Sequence, residues 1–185
     1  MVSLTTPVCD FNASAIDFDL PDICGDRWNL DKAAGKHGLL VMFICNHCPY
    51  IKAILPRLVE DTRKLKDEYG INSVAIMSND QSLYDEDSTE NMIQISEKMN
   101  FSFPYLIDDT QEVAKAYGAV CTPDFFGLSK HMTLQYRGRF NASRKETAPD
   151  GTRRDLFEAM KQVAQTDKGP LDQTPSMGCS IKWKE

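Results

Sequence analysis

The chain lacks the features that mark several large protein classes. Basic residues are outnumbered, 21 Lys and Arg against 27 Asp and Glu for a net charge of −6, so no nucleic-acid-binding surface is expected. Long apolar runs are missing too. The longest, Leu39–Ile44, falls far short of the roughly 20 residues that cross a bilayer, and no membrane partner is expected. The stretch Met1–Asp10 has neither a basic start nor an apolar segment. It does not read as a secretory signal, so a cytoplasmic location is expected. No repeat, low-complexity segment or Gly/Ser linker divides residues 1–185, which read as one domain.

What is present is ordinary except for sulfur. Hydrophobic residues at 42% and charged ones at 26% suit a globular protein. Six cysteines are many for a reducing compartment, where thiols more often serve catalysis or metal binding than cross-linking.

The pattern of apolar residues predicts an α/β sheet covered by helices. Residues 9–37 carry turn signals and read as short strands or a hairpin. Leu39–Ile44, apolar at every position, reads as a buried central strand. A helix is expected over Pro49–Tyr69, closed by Gly70 and kinked at Pro56. Ile71–Met77 reads as a second buried strand. Asp87-Ser88-Thr89-Glu90 reads as a capping box for a helix to about Lys98, with Met92, Ile95 and Met99 inward. A short helix over 113–117, a hairpin of 125–128 with 133–137, and a helix over 155–165 complete the order. Residues 167–185, punctuated by Pro170, Pro175 and Gly178, read as a polar tail carrying Cys179.

Chemistry concentrates in Cys45-Asn46-His47-Cys48-Pro49, where strand hands over to helix. Pro49 suits the first helical turn. Cys45 is expected at the helix N-terminus, where unpaired N–H groups and the macrodipole favour a thiolate, with His47 adding positive charge. On this reading Cys45 is the nucleophile, and Cys48 attacks the mixed disulfide and releases substrate. Burial of that sulfur in apolar surroundings, or its capture by a metal, would count against the account. The rival is half of a zinc site, completed by Cys121, Cys179 and His47. Cys121-Thr122-Pro123 precedes a strand, where proline belongs at an edge or tight turn. Cys9 and Cys24 read as inert, Asp85-Glu86-Asp87 as helix-capping acids rather than metal ligands, and Arg137, Arg139 and Arg144 as a solvated cluster.

Together these residues resemble the thioredoxin-like redoxins of the AhpC/TSA (alkyl hydroperoxide reductase/thiol-specific antioxidant) and TlpA-like group. The resemblance rests on Asp17-Phe18-Asp19-Leu20-Pro21-Asp22 with Gly25, on Cys45–Cys48, on Phe101–Leu106, on Val120–Phe126, on Tyr136-Arg137-Gly138 and on the tail Gly178–Trp183. It implies a thioredoxin-like fold: a central mixed sheet flanked by helices, with an N-terminal strand extension and a helical insertion at 81–100. It also implies that Pro123 is cis and that its loop, with Thr122, packs against Cys45. The activity implied is thiol–disulfide exchange with a protein or small-molecule partner, without a cofactor, and with peroxide as an alternative substrate. Cys121 and Cys179 are possible additional redox thiols, Cys179 reaching Cys121 or Cys48. Two departures stand out. Aligning Cys48 with the Pro-x-x-x-Thr-x-x-Cys motif of peroxiredoxins puts Val41 and Cys45 at the Pro and Thr positions. The strand Leu39–Ile44 also lacks the buried acid that thioredoxin carries before its dithiol.

Overall fold

Gly38–Phe43 is buried along its whole length and forms the centre of a five-stranded mixed sheet in the computed structural model, which describes residues 2–185. The first half of the chain runs β1 (Ser3–Thr5), β2 (Asp19–Pro21), β3 (Arg27–Asn29), α1 (Leu30–Ala33), β4 (Gly38–Phe43), α2 (Pro49–Tyr69) and β5 (Ile71–Met77). Then follow α3 (Thr89–Met99), β6 (Tyr105–Ile107), α4 (Glu112–Tyr117), β7 (Cys121–Thr122), β8 (Asp124–Ser129), β9 (Leu134–Tyr136), α5 (Asp155–Thr166) and β10 (Met177–Ser180). The sheet order is β6-β5-β4-β8-β9, with β4, β5 and β6 parallel and the β4–β8 and β8–β9 pairs antiparallel.

Successive residues of β4 point to opposite faces. Leu40 and Met42 meet Leu58 of α2 and Met160 of α5, whereas Leu39, Val41 and Phe43 pack with Phe18, Leu20 and Tyr117. Both faces are covered, which explains the unbroken apolar run. β2 and β3 form the N-terminal hairpin, and α3 forms the helical part of the insertion at 81–100. The fold is thus the expected thioredoxin-like one. Among the described residues, no helix is long and apolar enough to cross a membrane.

Helix ends follow their capping chemistry. Pro49 opens α2 at its first turn, and Gly70, at φ 64°, closes it by donating to the carbonyls of Leu65 and Lys66. α2 continues through Pro56 as a single helix. Ser88, not Asp87, caps α3, its Oγ accepting from the Asn91 N–H. Only Met92 on that helix is fully buried; Ile95 and Met99 are half-buried.

Two expectations fail. The tail is no loose appendage: β10 lies between β1 and β7 in a second, three-stranded antiparallel sheet. Gly178 makes this possible, because a Cβ there would stand 2.0 Å from the Thr122 carbonyl oxygen. The Ser176 hydroxyl donates to the Pro123 carbonyl at 2.9 Å, and the Lys182 carbonyl accepts from the Asp80 N–H at 2.8 Å. The expected arginine cluster is also divided. Arg137 is buried, paired with the buried Asp124 at 3.0 Å and lying over the Phe126 ring.

Candidate active site

Residues 45–48 link β4 to α2, and the helix begins at Pro49, as expected, so that Cys45 lies a turn ahead of it. Cys48 is the N-cap, in extended conformation, and Pro49 the first helical residue. A proline at the first position makes the residue before it the cap, so the helix end belongs to Cys48 and not to Cys45. The N–H groups of Ile51 and Lys52 turn back to the Cys48 carbonyl.

The thiols follow this geometry. As a thiol, Cys48 donates to the Thr122 carbonyl at 3.1 Å, and its Sγ lies 3.1 Å from the Sγ of Cys179. As a thiolate it collects a hydrogen bond from Cys45, which outweighs the cost of burial, and others from Cys179 and Thr122; together they pull it down to about 5. Cys45 takes the opposite course. Burial pushes its thiol well up, and its hydrogen bond to Cys48 and the Asp87 charge add to the effect. The Thr122 hydroxyl, 3.2 Å from Cys45 Sγ, offsets only part of this. The surroundings thus favour a thiolate at Cys48 over one at Cys45, where the motif leads one to expect it. Neither sulfur is open to solvent, since both residues are 0% exposed, so a substrate reaches them only when covering groups move.

The His47 ring is directed at a carboxylate rather than at Cys45. Its Nδ1 is 2.6 Å from Oδ2 of Asp87, in the insertion. Asp87 also accepts from the backbone N–H groups of Asn46 at 2.8 Å and His47 at 3.0 Å, and from Nδ2 of Asn79 at 3.2 Å. Burial works against the Asp87 charge, yet the His47 ring and these donors hold its carboxyl below the usual range. The reading of Asp87 as a helix-capping acid is corrected: it braces the 45–48 turn from the insertion. Tyr84 stacks on the His47 ring at 3.8 Å, and Nε2 of His47 is buried without a hydrogen-bond partner. Ligand-type atoms of Cys45, His47 and Asp87 lie within 4.8 Å of one another. Nothing in the sequence separates Asp87 from Asp85, because only the path of the insertion turns one inward.

The Thr122–Pro123 bond is cis, as the resemblance implies, and Thr122 touches both motif cysteines. Of the additional thiols, only Cys179 has its sulfur against Cys48. Cys121, one residue before Thr122, turns its Sγ toward the Pro123 carbonyl at 3.6 Å, and burial pushes its thiol well up. Among the described residues, the ligand-type cluster that the fold assembles is Cys45, His47 and Asp87, rather than the two motif cysteines completed by Cys121, Cys179 and His47. Cys9 is half-buried and Cys24 exposed. A cavity of about 220 Å³ adjoins the site, lined in part by Tyr50, Pro123, Phe140, Arg144 and Met177.

A mixed sheet, a cis-proline loop and a cysteine capping the helix after the central strand define a thioredoxin-like protein. The sequence profile of the AhpC/TSA family matches residues 11–141, and the chain belongs to that family. It is similar to an uncharacterized conserved protein from Geobacillus kaustophilus, at 37% identity and a TM-score of 0.93, over 100% of this chain and 97% of that one. A hypothetical protein from Sinorhizobium meliloti 1021 is 36% identical, with a TM-score of 0.90 over 97% of both chains. A thiol:disulfide interchange protein of the thioredoxin family from Chlorobium tepidum TLS shares the fold at 17% identity and a TM-score of 0.62, over 83% of this chain and 97% of that one. Comparison with curated proteins gives no match.

Proposed function

We propose that the protein is a thiol–disulfide oxidoreductase working through Cys45 and Cys48. The observation that carries this reading is Cys48 capping α2 beside the cis-proline loop, with a thiol pulled down to about 5. Only a thiolate attacks a disulfide, and a depressed pKa keeps it populated at neutral pH. The Cys48 sulfur attacks one sulfur of a substrate disulfide and expels the other half as a thiolate. Cys45 then gives up its proton to that thiolate, attacks Cys48 and expels the second half of the substrate, leaving a Cys45–Cys48 disulfide. The attack thus falls to Cys48 and resolution to Cys45, the reverse of the order expected from the motif. A protein or small-molecule thiol returns the pair to the reduced state. The expected setting is the cytoplasm, without a bound cofactor.

Glutathione disulfide and a disulfide-linked peptide, offered to wild type, Cys45→Ser and Cys48→Ser, test this. Cys48→Ser is expected to lose exchange entirely, while Cys45→Ser keeps the first attack. Exchange that survives in Cys48→Ser overturns the assignment. Peroxide consumption dependent on Cys48 would extend the reading to a thiol-dependent peroxidase. A second reading, a metal-holding module, draws on the proximity of Cys45, His47 and Asp87. Stoichiometric zinc in the purified protein, with no exchange chemistry, would select it.

A further inference from the structure

The motif cysteines are not the only sulfurs at the site. β10 pairs antiparallel with β7, setting Cys179 opposite Thr122 and Ser180 opposite Cys121. The pairing places a third buried thiol, the tail cysteine already expected as an additional redox thiol, 3.1 Å from the Cys48 sulfur. The strand is held at both ends. Before Cys179, the Ser176 hydroxyl reaches the Pro123 carbonyl, and Gly178 lets the backbone lie against Thr122. Beyond it, the Ile181 N–H donates to Val120 and the Lys182 N–H to Asn79. A thiol held this way needs no search to reach its target.

We propose that Cys179 is a resolving thiol of this site, closing a Cys48–Cys179 disulfide across the β7–β10 pair alongside the Cys45–Cys48 bond. The inference rests on the exchange chemistry proposed above and adds to it. Cys48 attacks a substrate disulfide and forms a mixed disulfide, releasing one thiolate. Cys179 passes its proton to that thiolate, and its sulfur attacks Cys48 and expels the second half of the substrate. One disulfide is reduced, two protein thiols are oxidised, and no outside oxidant is needed. Timing is built into the pair. At rest, burial together with the hydrogen bond and charge of Cys48 pushes Cys179 up to about 12. The mixed disulfide removes the Cys48 hydrogen bond and charge, so that burial alone still opposes the Cys179 thiolate while Lys182 and Lys145 favour it.

The experiment offers glutathione disulfide to reduced Cys45→Ser and to Cys45→Ser/Cys179→Ser, with intact mass and non-reducing peptide maps as readout. The single variant is expected to lose two hydrogens and yield a peptide linking Cys48 to Cys179. The double variant is expected to stall with glutathione on Cys48. Gly178→Val in the Cys45→Ser background, which drives a side chain into the Thr122 carbonyl, should stall in the same way while Cys179 is still present. If Cys45→Ser itself stalls as the Cys48 adduct, Cys179 is no resolving thiol, and the exchange function stands. The proposal also falls if the double variant closes a Cys48–Cys121 bond in place of stalling. If Cys48 takes no glutathione in any variant, the exchange function falls as well.

Discussion

The end of β4 and the start of α2 lie one short turn apart, and their cysteines ionise in opposite directions. Cys45, behind the helix end, meets burial and the Asp87 carboxylate and is pushed up. Cys48, on the helix end, is equally buried but gathers donors from Cys45, Cys179 and Thr122 and is pulled down. Burial disfavours a charged thiol at both places, so the count and direction of hydrogen-bond donors decides between them. The motif alone does not contain that difference.

The largest effect expected is on the Cys48 titration. The thiolate absorbance of the reduced protein should rise with a midpoint near pH 5 and lose that phase in Cys48→Ala. The sign for stability follows from the depressed native value, about 5 against 9.0 for the unfolded thiol. Between those values the unfolded chain binds the extra proton, so wild type gains on Cys48→Ala as pH rises through this window. The advantage is lost as pH falls through about 5. Urea unfolding of both reduced proteins at several pH values checks it; an unchanging difference would remove the contrast.

Next in size is Asp87→Ala, which strips the turn of its brace and leaves His47 and two backbone N–H groups without their acceptor. A loss of about 3–5 kcal/mol is expected, as for other buried pairs deprived of one partner. The same change should lower the Cys45 pKa, because a negative charge near it is gone, and so narrow the difference between the two thiols. Denaturant unfolding and the pH dependence of Cys45 alkylation read the two parts separately.

The smallest effect belongs to Thr122→Val. It removes the hydroxyl 3.2 Å from Cys45, which should cost about 0.5–1.5 kcal/mol and raise the pKa of both motif thiols, leaving the contrast between them in place. A fall in the Cys45 pKa would show that the hydroxyl does not stabilise the Cys45 thiolate.

The same division between local and distant information runs through the fold. β4, α2 and β5 were legible because their signals are local: an apolar run, a proline at one end of a helix and a glycine at the other. The pairing of β10 with β7 was not, because Met177–Ser180 shows no period and its partner lies far away in the chain. Its mark is Gly178, and a glycine in a polar tail reads as a turn until the Thr122 carbonyl is seen against it. Arg137 reads as a surface residue for the same reason: its partner, Asp124, sits on a neighbouring strand of the sheet. The apolar strand before the dithiol indeed carries no acid, but the insertion brings Asp87 to the turn from another direction.

By itself the amino-acid order determined the thioredoxin-like sheet, the position of the cysteine motif after its central strand and the proline loop that faces it. Periodicity and capping act within a few residues and place the strands and helix ends, while the thioredoxin-like arrangement and the facing proline loop follow from the family resemblance of the motifs. Only the tertiary structure decided what surrounds each cysteine, which acid braces the turn and which distant thiol stands beside it. Those outcomes depend on hydrogen bonds and burial between segments far apart in the chain, whose energies exist only once the segments have been brought together.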